Sequence, residues 1–401
     1  MRVSDDAIVV TLAFMPPAEP PPKPPAIYAP APREISFGQI KGRVAAGTRI
    51  VSIRVDGVYK GHANLDGLRF WKTLSLPSRD VTIRLTAVNA MGDKASSSVG
   101  PVYGLSRRAR PHAIKSSLDR GLQRKIRALV DAFPGTSSVY VQDLRTGKGA
   151  AWNARARFMG ASTLKLGIAI EVLRVLGGKP APHSQIGTLF HRMLVYSDNE
   201  AANDLEIWLG GGSIYTGSAR VTATLRALGL YDSYINGGYL IGTADEAPIP
   251  LNVVEQPSYY STGKYTSAWD LARVHEFLHR GAGGHGPLLG LSGHFTARDA
   301  RFMLWTLAHV QDPGKLDRYV GSEPGVSVLH KAGWISVARH DSGIVYWHDG
   351  GFVAVVMTYR STGVGASSDV LAGQIAETAF NHFSRAGTTG RSDRRGRLFL
   401  F

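Results

Sequence analysis

The stretch "GASTLKLGIAIEVL", residues 160–173, places a lysine three residues after a serine at the head of an apolar run. At that spacing Ser162 and Lys165 share a helix face. The apolar residues that follow mark the helix as buried, and burial disfavours the charged form of an amine. A desolvated amine beside a hydroxyl can take its proton, which makes Ser162 an activated nucleophile. A helix start also aims backbone N–H groups at the serine, where an oxyanion would develop. The pattern is not specific by itself, because Ser261 and Lys264 repeat it in "STGK" without an immediately following apolar run. Two other stretches add chemistry. "LVYSDNEAANDL" sets Ser197, Asp198 and Asn199 between two helical segments, and "LHKAGWI" sets Lys331, Ala332 and Gly333 on a candidate strand.

S-x-x-K, S-D-N and K-T-G in this order form the motif set of the penicillin-recognising serine enzymes, and this chain has K-A-G in the third place. Over residues 116–386 the chain resembles a class A β-lactamase, or the broader β-lactamase-like serine hydrolases. The resemblance implies that Ser162 is acylated and that Lys165 exchanges protons with it. It implies that Ser197 relays a proton to the leaving nitrogen. Asn199 would bind the substrate amide and the lysine, and Lys331 the substrate carboxylate. The backbone N–H groups of Ser162 and Trp334 would form an oxyanion hole, and Gly333 would leave room along the strand edge. Asp198 is expected to stabilise its own loop. Ala332 replaces the usual hydroxyl residue, so one bond to a substrate carboxylate is missing; Arg339 or Ser336 are the nearby substitutes. Ser342, before Gly343, stands where the family often has a cation. The deacylating base should lie in "GTADEAPIPLNVVEQPSYYSTGKYT", where Glu246 and Glu255 are both available and Glu246 is preferred. Without it the enzyme would acylate and release slowly, like a penicillin-binding protein acting as a D,D-peptidase.

A different class of enzyme is signalled by "HEFLHRGAGGH", residues 275–285. His275 and His279 at i and i+4, with Glu276 as base and His285 beyond, fit a zinc peptidase. Against it, the glycine of the longer motif falls on Ala282, and Leu271, Val274 and Leu278 mark the apolar helix face, which leaves the two histidines expected in solvent. No G-x-S-x-G is present. The preferred reading therefore needs neither metal nor other cofactor. A non-catalytic wall-binding module is the remaining alternative.

The elements that must position these residues read as an α+β domain over residues 116–386. A helix in "SLDRGLQRKIRALVDAF" precedes two strands in "SSVYVQDLRTGKGAAWN", helices continue to about residue 310, three strands follow, and a last helix closes the domain. Its terminal strands should share one antiparallel sheet. Residues 34–104 alternate at period two and read as a small β-sandwich of immunoglobulin type. Residues 1–33 carry nine prolines between positions 16 and 32, an extended spacer. Residues 105–115 read as a basic linker and 387–401 as a basic tail, both solvated.

The 401 residues carry a net charge of +15 and no cysteine, which removes disulfide and thiolate chemistry. The basic clusters suit an anionic cell-wall polymer, while no nucleic-acid motif is present. No apolar run is long enough for a transmembrane segment. The expected partner is a small β-lactam or a peptidoglycan peptide. Both lie outside the cytoplasm, so an extracytoplasmic location is expected although no clean export signal is evident.

Overall fold

The computed structural model describes residues 22–239, 248–250, 259–261 and 263–395. In the larger unit, β1 (Thr136–Asp143), β2 (Lys148–Trp152), β3 (Ser327–Ile335), β4 (Ala338–Trp347) and β5 (Gly350–Tyr359) form one sheet. The order is β2-β1-β5-β4-β3, extended beyond β2 by the short strand Ser117–Leu118. The five long strands pair antiparallel, so the first and last strands of the 116–386 segment build one sheet as expected. Every residue of β1 is buried, because both sheet faces are covered.

One face carries α1 (Arg120–Asp131) and α8 (Ala366–Arg395). Leu122, Ile126 and Val130 of α1 and Ile375, Ala376 and Ala379 of α8 pack on Val139, Phe352 and Val356. The other face carries the helical region: α2 (Lys165–Leu176), α3 (Gln185–Val195), α4 (Asn199–Leu209), α5 (Ile214–Ala227), α6 (Ala268–Ala282) and α7 (Ala297–Leu307). Helix α2 is buried from Lys165 through Leu173, as an all-round apolar sequence requires. It stops where Gly177 adopts φ +64°, the left-handed conformation glycine takes without penalty. Side-chain caps start the others: Ser184 for α3, Asp198 for α4, Ser213 for α5, Ser267 for α6, and a Thr296/Asp299 capping box for α7.

Residues 26–104 form a second β unit of two sheets, one of four strands and one of five. Ile40, Phe70, Val51, Ile53, Ile83 and Leu85 fill the core between them. Three expected boundaries need correction. The proline-rich segment is not a spacer throughout: Ala26–Ala29 is a strand paired with Gln39–Arg43, because that proline-free tetrapeptide can join a sheet edge. Residues 105–115 are not a loose linker. Leu105 and Ala109 enter the helical unit's core with Ile35 and Phe37, and Arg108 pairs with Asp349. The basic tail does not begin as a free end at 387, since α8 runs on to Arg395. The β unit is fastened to α7 and the loop after it. Arg301 Nε bonds Glu34 at 2.7 Å, and Asp80 accepts from Trp305 Nε1 at 3.0 Å and meets His309 Nε2 at 2.9 Å. No helix among the described residues is long and apolar enough to cross a membrane.

Candidate active site

Ser162 lies in the 3-10 turn Ala161–Leu164 that leads into α2. It is half-buried, while Lys165 is fully buried. The Lys165 amine donates to the Ser197 carbonyl at 2.5 Å and to Asn199 Oδ1 at 2.7 Å. Burial first, and the neighbouring Lys331 cation second, push its pKa down to about 6, against the opposing pull of Asp198 and Glu206. At neutral pH the group is an –NH2 with two N–H bonds. Both have acceptors, which leaves the lone pair free of any N–H.

The S-D-N loop is held in a strained shape. Ser197 has φ +59°, a conformation non-glycine residues rarely adopt. Asp198 fixes the bend by accepting from Ala201 N at 3.1 Å and from Arg192 Nε at 2.7 Å. Burial would raise this carboxyl, but those bonds hold it below the ordinary range. Lys331, fully buried on edge strand β3, donates to Ser197 Oγ at 2.8 Å and to the Ala332 carbonyl at 2.8 Å. Burial lowers its pKa to about 8, with Asp312 and Asp341 opposing. Ser197 thus accepts from a cation and keeps its own O–H to give away.

Gly333 brings β3 against Ser162. A Cβ there would lie 2.7 Å from Ser162 N and 2.8 Å from Thr163 N. Only glycine permits this approach of the strand edge to the two N–H groups. Trp334, next along, is 60% exposed and pairs across the strands with Arg339. Ser162, Lys165, Ser197, Asn199, Lys331 and Gly333 therefore converge on one place, with Trp334 next along the strand, although Lys331 follows Ser162 by 169 positions (331 − 162).

Other expectations fare differently. Arg339 is not available for a substrate carboxylate: Asp369 engages it through two bonds, at 2.6 and 2.8 Å. Ser336 sits exposed in the β3–β4 turn, and Ser342 is buried against His275. Glu246 and Glu255 lie outside the described residues. The H-E-x-x-H histidines do not face solvent. Helix α6 is wedged between the sheet and α7, so its polar face is buried as well. His275 Nε2 meets Ser342 Oγ at 3.0 Å, His279 Nδ1 meets the Tyr346 hydroxyl at 2.8 Å, and Glu276 pairs with Arg273. Burial holds both rings neutral, with pKa values near about 3. The three side chains of the motif are engaged separately, and among the described residues no group of three metal-ligating side chains forms.

Four neighbours escaped sequence reasoning. Tyr239 lays its ring 4.7 Å from Lys165 Nζ and 5.2 Å from Lys264 Nζ. Asn203 holds Tyr239 in place by bonds to its backbone N at 2.5 Å and carbonyl at 2.8 Å. Lys264, the dismissed second S-x-x-K lysine, is buried and donates to Gly238 O at 2.7 Å. Glu206 is fully buried, neither carboxyl oxygen is hydrogen-bonded among the described residues, and burial raises its pKa to about 8, with Lys264 and Lys165 opposing. The only sequence signal was spacing: Asn199, Asn203 and Glu206 fall at i, i+4 and i+7 on α4.

No match was found among curated proteins. PBP-A superposes with a TM-score of 0.53 at 21% identity, over 67% of this chain and 98% of that one. A β-lactamase from Streptosporangium roseum gives 0.51 at 18%, over 66% and 99%. A class A β-lactamase from Mycobacterium abscessus gives 0.50 at 17%, over 66% and 99%. At such identities the likeness is one of fold, and it covers the helical unit's share of the chain. A sequence model described as the beta-lactamase enzyme family matches residues 121–179 and 175–383, most of the chain and all three motifs. The chain belongs to the β-lactamase enzyme family.

Proposed function

We propose that the protein is a serine hydrolase that opens a β-lactam amide through an acyl-enzyme on Ser162. The observation that carries this reading is the Lys165 amine, buried, with pKa lowered to about 6 and both N–H bonds occupied. Lys165 takes the Ser162 proton as Oγ bonds to the lactam carbonyl carbon. The oxyanion meets the N–H groups of Ser162 and Trp334. The C–N bond then breaks and Ser197 Oγ gives its proton to the nitrogen, beside the Lys331 cation. Water hydrolyses the ester and frees Ser162. Lys331 also attracts the substrate carboxylate in place of the hydroxyl that Ala332 lacks. Family membership and the PBP-A likeness support the same chemistry.

A second reading is favoured by Tyr239. Its ring lies against Lys165, where an aromatic face activates no water. Slow release, as in a penicillin-binding D,D-peptidase acting on peptidoglycan peptides, follows if no carboxylate reaches the ester. Mass spectrometry of the protein mixed with a penicillin decides between them. A persistent adduct on Ser162 supports slow release, rapid turnover without accumulation supports a lactamase, and neither adduct nor turnover refutes both. An extracytoplasmic location accords with either substrate. We also assign the N-terminal β unit to the immunoglobulin-like type, from its two sheets and shared core, as a wall-facing accessory module.

A further inference from the structure

We propose that the outer face of the N-terminal four-stranded sheet binds an acidic polysaccharide, with Trp71 as its stacking platform. In this sheet Ile40 and Phe70 point into the core, so their neighbours point out. Cross-strand register then sets two outward rows. Lys41 pairs with Trp71, which pairs with Asn64; Arg43 pairs with Arg69, which pairs with Asp66. On the next strand Ile27 packs against the core and its neighbour Tyr28 is 52% exposed. Trp71 is 42% exposed, a large apolar ring in the middle of a sheet rather than at its rim. Among the described residues no ring or cation stacks on it, and Lys41, Arg43 and Arg69 form no ion pair.

Tyr28 lies where the register of its strand shifts, beside Ala29, which pairs with Lys41, so Tyr28 and Trp71 stand on strands two spacings apart, about 10 Å. The C–H face of a sugar ring stacks on an aromatic face, and the cations beside the rings suit carboxylates along the same chain. Aromatic rings among cations also suit a single-stranded nucleic acid. The choice of a glycan rests on the cell-wall reading above, and the test separates the two. The rows lie on the β unit, apart from Ser162, so binding there would hold the hydrolase on the polymer without occupying its site.

The experiment is co-sedimentation of the full-length protein with purified peptidoglycan sacculi, alongside insoluble neutral glucan and with single-stranded DNA as competitor. The wild type should sediment with sacculi and not with glucan. Trp71→Ala should weaken binding about tenfold, with Trp71→Phe restoring most of it. Lys41→Ala/Arg69→Ala should weaken binding at low salt and flatten its salt dependence. Both positions are exposed, and an unchanged melting temperature checks the fold. Equal sedimentation of wild type and Trp71→Ala, binding to neutral glucan, or DNA held through Trp71 with sacculi ignored would each overturn the proposal. The penicillin adduct on Ser162 is read separately. A protein that binds sacculi through Trp71 but forms no adduct keeps this inference and loses the hydrolase reading.

Discussion

Replacing Lys165 by methionine should change the protein's stability by an amount that depends steeply on pH. The amine titrates at about 6 when folded and at 10.5 when free. Between those values the unfolded chain binds one more proton than the folded one at this site. Stability from the site is therefore complete above the unfolded pKa and is lost as pH falls toward the folded one. The slope approaches about 1.4 kcal/mol per pH unit. From pH 6.5 to 9.5 the wild type should gain roughly 2–4 kcal/mol relative to Lys165→Met, the lower figure allowing for relaxation around the buried charge. The offset between the proteins depends on Ser197 O and Asn199 Oδ1, each left bare at about 1–3 kcal/mol, but the slope does not. Urea unfolding of both proteins at four pH values gives the difference curve. Parallel curves, within about 0.5 kcal/mol across that range, would refute a desolvated Lys165 and with it the proposed base.

Three further outcomes follow from the same geometry. The acylation rate with a penicillin should rise through about pH 6 as Lys165 loses its proton and fall beyond about pH 8 as Lys331 loses its own; stopped-flow rates that stay flat across this window contradict the assignment. Gly333→Ala forces a methyl to 2.7 Å from Ser162 N, displacing β3 from the oxyanion donors. Acylation should fall about hundredfold or more with the fold retained by circular dichroism, and a near-normal rate would show that the strand edge does not border the reaction. His279→Ala strips the Tyr346 hydroxyl of its partner inside the core. It should destabilise by about 2–3 kcal/mol and leave acylation unchanged after chelation, whereas activity that tracks bound zinc would restore the metallopeptidase reading.

What the sequence made legible was local or strictly periodic. The three motifs and the α+β order of elements could be read because each motif spans a few residues and each carries its own helix or strand signal. Tyr239, Lys264 and Glu206 could not be read, since their place beside Lys165 depends on how α4 and the strand Lys264–Ser267 pack. The histidines of α6 were misplaced for a related reason. Leu271, Val274 and Leu278 define one apolar face, but burial of the opposite face is set by the sheet, and a histidine is buried readily when a hydroxyl meets its ring. Charge misled at residues 105–115, where the arginines stay at the surface while Leu105 and Ala109 carry the chain into the core.

The same packing explains how a lysine can be a base at neutral pH in so basic a chain. A net charge of +15 acts mainly through solvent and is screened over about 8–10 Å, so it sets the protein's surface attractions and little else. The field at Lys165 comes from its immediate neighbours: burial and Lys331 on one side, Asp198 and Glu206 on the other. Asp198 is already committed to Arg192 and to the cap of α4. Glu206 has no hydrogen-bond partner among the described residues, and its pKa of about 8 keeps it protonated at neutral pH. The pull of the two acids is therefore weaker than the desolvation, and the amine stays neutral. Had the acid been placed in hydrogen-bond contact with the lysine, an ion pair would have formed and Ser162 would have faced an ammonium.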